Sequence, residues 1–257
     1  MIHSQIVRMD ASLICRLFEG LPRQGPGSSA CTKKMFSLIT DLPKNPKILD
    51  IGCGTGMQTR DIARLCPDAR ITATDVHQPF LDELMREAKK AGVDDRIKTL
   101  NTSMTDLPFP AGSFDLIWAE GSIFIMGVEQ GLRSWKKFLA PQGLLAFTET
   151  VWFSPTPSEE PLAFWNAIYP DLKTPELLKS LAEQIGYASL ADFPLPPSAW
   201  WDDYYIPMRA RLPDLKAQYR DNPEAEPILR FMNQEIMVYE KYSHEYGYQF
   251  FLFRNGK

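Results

Sequence analysis

KILDIGCGTG, residues 47–56, carries an apolar run directly into a loop that has almost no side chains. Ile48, Leu49 and Ile51 flank Asp50, and Gly52, Gly54 and Gly56 follow at every second position. A short apolar run of this kind reads as a strand covered on both faces. Glycines after it permit backbone angles that a Cβ forbids and let a ligand reach the main chain closely. A helix that starts there points free N–H groups toward the strand end, which is where open α/β sheets bind ligands. Cys53 and Thr55 are the remaining members of the loop. Asp50 puts a negative charge beside it, which suits a ligand with an amino group better than one with a pyrophosphate.

Downstream, strand and helix patterns alternate. Residues 57–66 read as a helix closed by Pro67 and Asp68, and residues 69–75 (ARITATD) as a second strand ending in Asp75. Asp75 lies 25 positions after Asp50, near the offset of roughly 20 at which an acid meets a ribose in dinucleotide folds. It is equally placed to cap the helix that Gln78 and Pro79 open. Residues 96–101 and 113–119 give two more strands, the latter followed by Glu120, Gly121 and Ser122. A helix over 128–139, a turn at 141–143 shaped by Gly143, and a strand over 144–153 come next. Thr174 and Pro175 start another helix and Gly186 stops it. Strands are expected at 188–193 and 246–254.

The string ILDIGCGTG resembles motif I of the class I S-adenosylmethionine-dependent methyltransferases, usually written (V/I)LD(I/V)GCGTG, and Asp75 matches their motif II. Residues 102–109 (TSMTDLPF) resemble the family's G-D-A-x-x-L-P-F stretch, with Ser103 in the place of the acid. The turn from Leu139 to Gly143 has the LxPxG form of a late family motif. The segments RQGPGS (23–28) and WAEGSIF (118–124) look like those of bacterial and archaeal small-molecule methyltransferases. The resemblance implies a doubly wound, Rossmann-like seven-stranded sheet of α/β class, mostly parallel with the last strand antiparallel. It implies S-adenosyl-L-methionine as cofactor and S-adenosyl-L-homocysteine as product. The expected cofactor contacts are Asp50, Gly52, Cys53, Gly54, Thr55 and Gly56 near the methionine end, Asp75 and Val76 at the ribose, and Ser103 and Met104 at the adenine. Glu120 sits in the loop that faces the transferred methyl in this fold. It is the first candidate for orienting the methionine moiety or accepting a substrate proton, against a capping or solvent-exposed acid. The N-P-P-Y type signature of enzymes that methylate planar nitrogens is missing at this position.

Composition limits the partners. A formal net charge of -4 gives no general attraction to a polyanion, so a nucleic-acid substrate is not expected. No basic-then-apolar leader and no run long enough to span a membrane is legible, and a cytoplasmic location follows as the default. Cys15, Cys31, Cys53 and Cys66 lack the spacing of a zinc site or a disulfide framework. They read as reduced, and the chemistry as metal-independent. The chain is read as one domain (1–257) with three parts: a helical N-terminal segment (1–41), a cofactor-binding core (44–153) and a helical insertion (194–245). The N-terminal segment, interrupted by LPRQGPGS, is either a lid over the cofactor or a plain connector. Residues 154–173 read as irregular chain above the strand ends. The insertion, expected to be broken near Pro213 and at Asn222-Pro223, reads as a substrate cap. Its Trp200, Trp201, Tyr204 and Tyr205 form either a cage for an amine or ordinary core. His244 is the second candidate base, or a structural histidine. Methyl transfer to an O, N or C atom of a small molecule is the leading reading, with monomer and homodimer both open. A non-catalytic binder of the same cofactor is the first alternative. A NAD(P)-dependent oxidoreductase is the second, disfavoured because such loops read GxGxxG.

Overall fold

The computed structural model describes residues 11–256, and the expectations for residues 1–10 lie outside it. Its centre is a seven-stranded sheet: β1 (Lys47–Ile51), β2 (Arg70–Asp75), β3 (Ile97–Asn101), β4 (Phe114–Ala119), β5 (Leu139–Trp152), β6 (Tyr187–Pro194) and β7 (Tyr246–Asn255). They lie in the order β3-β2-β1-β4-β5-β7-β6. β1 pairs in parallel with β2 and β4, β2 with β3, and β4 with β5, whereas β7 runs antiparallel to both β5 and β6. The expected sheet is therefore the observed one. The order reverses between β1 and β4, which opens a crevice at their carboxyl ends.

Alternation along β1 decides what covers each face. Ile48 joins one apolar cluster, together with helices α1 (Ala11–Phe18), α2 (Ser29–Ser37), α3 (Met57–Leu65) and α4 (Gln78–Lys90). Leu49 and Ile51 join another, covered by α5 (Val128–Lys136) and α7 (Pro175–Ile185). Local signals explain the helix ends: Thr174 caps α7 by accepting from the Leu177 N–H, and Gly186 closes it at φ +95°.

Several elements depart from expectation. Residues 154–173 contain a full helix, α6 (Glu159–Ile168). Its apolar face packs on α10 (Ala225–Tyr242), with Phe164 stacked on Phe231 at 5.5 Å. Pro213 does not break the chain. α8 (Ser198–Trp200) passes through a π turn (Trp201–Tyr205) into α9 (Ile206–Gln218), which runs through Pro213; the break falls at Asn222-Pro223 as expected. In the 141–143 turn the left-handed residue is Gln142, at φ +62°, and not Gly143. Gly143 is needed for a different reason: a Cβ there would stand 2.9 Å from the Ala140 carbonyl oxygen.

β5 also buries a carboxyl group inside the sheet. Glu149 Oε1 accepts from the Thr150 N–H at 2.9 Å, while Oε2 has no partner among the described residues. Burial pushes this carboxyl up to about 8 from an ordinary 4.5. Between those values the folded chain holds a proton that the unfolded chain has lost, so stability falls as pH rises across that window, by on the order of a few kcal/mol. The Glu149→Gln variant is expected to show a flatter fall of Tm between about pH 5 and about pH 8 than the parent. Parallel Tm profiles would mean that Glu149 is ionised in the fold.

Candidate functional site

The glycine loop between β1 and α3 closes in left-handed steps, with φ of +68°, +53° and +71° at Gly52, Gly54 and Gly56. Space is as restrictive as torsion. A Cβ on Gly56 would come within 2.2 Å of Leu84 Cδ1, and one on Gly52 within 2.5 Å of Ser122 Cβ. The loop's amides are not free. Gly52 and Cys53 donate to the Thr74 carbonyl, Gly54 to Asp75 Oδ2 at 2.9 Å, Thr55 to Gln24 Oε1 at 2.9 Å, and Gly56 to the Cys53 carbonyl. No N–H from residues 52–56 is left to cradle a phosphate. Burial also holds the Cys53 thiol well above its usual value, so it is not a poised thiolate.

Asp75 acts as a strut: Oδ2 takes the Gly54 N–H and Oδ1 the His77 N–H at 2.9 Å. It does not cap α4, whose N-cap residue is His77 with no side-chain capping bond. A carboxylate offers about four lone-pair sites, so each oxygen retains capacity for a ligand. Asp50, expected beside the ligand, is fully enclosed behind the loop. Its Oδ2 accepts from Thr59 at 2.6 Å and from Gln58 at 3.3 Å, and Oδ1 has no partner among the described residues. Burial, partly countered by Thr59, pushes its carboxyl up to about 7. It fixes α3 against β1 and has no surface on the cavity described below.

The connection between α1 and α2 lies on the loop. Gln24 receives the Thr55 amide, Thr55 Oγ1 donates to the Pro22 carbonyl at 3.1 Å, and Gly27 N donates to Ala199 O at 2.9 Å. Arg23 Nη2 reaches Glu120 Oε2 at 2.6 Å in an ion pair whose side chains are 6% and 0% exposed. Glu120 Oε1 takes two further donors, Thr32 Oγ1 at 2.7 Å and Trp118 Nε1 at 2.9 Å. Glu120, expected as a proton acceptor, is thus engaged through both oxygens and ties the N-terminal segment to β4. Arg23 Nη1 is buried and unpartnered among the described residues.

These parts surround a cavity of about 530 Å³. Gly52, Cys53, Gly54 and Thr55 line it from the loop, Asp75, Val76 and Met104 from the β2 and β3 ends, and Glu120 from β4. Gly56, Ser103 and His244 are not on its wall. Thr102 lines the place expected of Ser103, whose hydroxyl is bonded to Thr105 instead. His244 is 75% exposed, beside Glu245, and is not placed to act as a base in the cavity. The remaining wall is apolar and mostly unforeseen. Trp165 and Tyr169 come from the α6 region, Trp200 and Tyr204 from the insertion, Phe231 and Glu235 from α10. Trp200 is at once core and wall, stacked on Tyr239 at 4.2 Å and meeting Tyr248 edge-on at 4.9 Å. Among the described residues no three His, Cys, Asp or Glu side chains gather to hold a metal, and no helix is long and apolar enough to cross a membrane.

The profile of a methyltransferase domain matches residues 48–143. That span contains the glycine loop, Asp75 and Glu120, and it supplies the parallel strands β1 to β4 and the start of β5. Residues 48–143 are similar to the methyltransferase-domain family. An uncharacterised protein of Synechococcus sp. is 38% identical over 101 residues, 39% of this chain and 24% of its own length. Methyltransferase GfsG of Streptomyces halstedii is 30% identical over 121 residues, 47% of this chain and 43% of its own. The chain thus spans less than half the length of these curated relatives. The crystal structure of an S-adenosylmethionine-dependent methyltransferase from Geobacter sulfurreducens, in complex with S-adenosyl-L-homocysteine, superposes with a TM-score of 0.79 at 18% identity, over 95% of this chain and 98% of that one.

The buried ion pair gives the fold a sharp mutational signature. Replacing Arg23 by Met strands the Glu120 charge and is expected to cost roughly 3–5 kcal/mol in urea unfolding. Adding Glu120→Gln should recover part of that loss. A loss below about 1 kcal/mol from the single change would mean that water relieves the pair.

Proposed function

We propose that the chain transfers a methyl group from S-adenosyl-L-methionine to a small molecule. The observation that carries this reading is a single cavity with two chemically distinct halves. The polar half lies over the glycine loop, and the apolar half lies under α6, α8 and α10.

The residues of the polar half fit the cofactor part by part. Asp75, with lone pairs unused, would accept both ribose hydroxyls. Val76, largely exposed at the mouth, and the Met104 thioether offer apolar and polarisable surface to an adenine, with the Thr102 hydroxyl beside them. Gly52 and Gly54 leave room for the sulfur chain to pass close to the backbone. The unpartnered Arg23 Nη1 is the donor available to the methionine carboxylate. When bound, the cofactor supplies a sulfonium methyl that is already activated for displacement. The chain's own task is to hold the acceptor in line and exclude water, and an approach geometry of this kind lowers the barrier without a catalytic triad.

The nicotinamide alternative is disfavoured by the same geometry. Every amide of residues 52–56 already has a protein acceptor, so a pyrophosphate would find no free donor among the loop amides themselves. Calorimetric titration is expected to show binding of S-adenosylmethionine and of S-adenosylhomocysteine, and none of NAD. Asp75→Ala should weaken cofactor binding by about 1.5–3 kcal/mol, the value of hydrogen bonds to a charged group. Unchanged affinity in the folded variant would confine Asp75 to its strut role. Turnover is tested by transfer of an isotopically labelled methyl to a metabolite extract, whose absence across varied extracts would favour a non-catalytic binder.

A further inference from the structure

The apolar half of the cavity contains one carboxylate that the fold does not explain. Glu235 projects from the middle of α10 among residues that are otherwise core: Ile228, Met232, Ile236 and Tyr239 on the same helix are all buried. It is 8% exposed, and what it lines is the cavity. Among the described residues its carboxylate accepts from the Tyr205 hydroxyl at 2.9 Å and from nothing else, and that bond uses Oε1. Oε2 has no hydrogen-bond partner among the described residues, and the residue lines the cavity. Around it the wall is made of aromatic rings, Trp165, Trp200, Tyr204, Phe231 and Tyr248.

No positive charge answers it. Among the described residues Arg23 is the only Lys or Arg on the cavity wall, and its Nη2 is committed to Glu120. Of the other wall carboxylates, Glu120 is paired with Arg23 and Asp75 holds two backbone N–H groups. Among the described wall residues Glu235 alone has neither a counter-charge nor a full set of donors. Burial pushes its carboxyl up to about 7, which expresses the cost of a charge in that place. A bound cation would remove the cost, and electron-rich ring faces favour cations over anions.

We propose that Glu235 is the recognition group of the acceptor subsite, and that it selects an amine carried on an apolar or aromatic body. The amine binds as its ammonium, with one N–H on Oε2 and the charge against the rings of Trp200 and Tyr204. An anionic head is repelled by the carboxylate, and an alcohol supplies only a neutral hydrogen bond. The assignment of this half of the cavity to the acceptor rests on the methyl-transfer reading above; the selectivity for an amine does not.

The test uses three probes of similar body and different head: 4-phenylbutylamine, 4-phenylbutan-1-ol and 4-phenylbutyrate. Each is titrated calorimetrically into the full chain, with and without saturating S-adenosylhomocysteine. The amine is expected to bind at least tenfold more tightly than the alcohol, and the carboxylate not measurably. Glu235→Gln, which keeps the volume and the acceptor for Tyr205, should erase the tenfold advantage of the amine while leaving the alcohol and S-adenosylhomocysteine affinities as they were. Equal binding of amine and alcohol, no binding of any probe, or an amine preference that survives Glu235→Gln would overturn the proposal. The parent-chain comparison alone decides the matter should the variant not fold. Failure of S-adenosylhomocysteine to bind would count against the methyl-transfer reading, while the amine selectivity is read separately in the titrations without it.

Discussion

A carboxylate with no exposed surface cannot stand alone in a fold, and Glu120 is held by donors from three segments. Arg23 comes from the connection before α2, Thr32 from α2, and Trp118 from β4. Removing two charges from water costs several kcal/mol per ion, and only close, well-aligned partners compensate for it. The 2.6 Å pair with its two auxiliary donors meets that condition. Its geometric consequence is that residues 22–26 are pressed against the glycine loop, so that Gln24 and the Pro22 carbonyl become part of that loop's hydrogen bonding. The roof of the cavity therefore depends on an acid at the end of β4.

The same constraint determines what the loop can bind. In a phosphate-binding loop the glycine amides point outward and wait for an anion. Here they are consumed by Thr74, Asp75, Gln24 and Cys53. What remains on the surface is carboxylate lone pairs, thioether, small hydroxyls and bare glycine backbone. A ligand rich in hydroxyl donors and carrying positive charge fits that surface, and a polyphosphate does not.

The sheet was legible because each of its strands obeys a local rule. β1 is apolar on both faces, β2 ends in an acid, and the breakers Pro67, Gly143 and Gly186 stand where strands and helices hand over. Local rules also explain the failures. Pro213 reads as a helix breaker, yet packing of Met208, Leu212 and Leu215 against the core holds α9 through it. Asp50 sits at the right position in the string, but Gln58 and Thr59 in the first turn of α3 claim its side chain, and nothing within the string reveals that. Ser103 and Thr102 are neighbours, and which of them faces the cavity is decided by the turn that bonds Ser103 to Thr105. Arg23 and Gln24 were hidden in a segment whose glycines and prolines read as punctuation. Two long polar side chains inside such a segment were the signal.

The apolar half of the cavity was not legible for a different reason: its wall is assembled from residues of α1, α6, α8, α10 and β7, elements that lie far apart in the chain. Aromatic residues at those positions satisfy the core whether or not they also face a void, so composition cannot separate the two uses. An acid in an apolar stripe can be separated. Glu235 falls at the i+7 position from Ile228 and i+3 from Met232, on the face that α10 buries. Three buried carboxyls in this chain sit well above their ordinary range, and their surroundings differ. Asp50 is bonded to the helix it anchors, Glu149 is enclosed within the sheet beside Thr150, and Glu235 faces an opening lined with rings. For the first two, burial is compensated or endured inside the protein. For the third, the missing partner has a place to sit, and the chemistry of that place describes the partner.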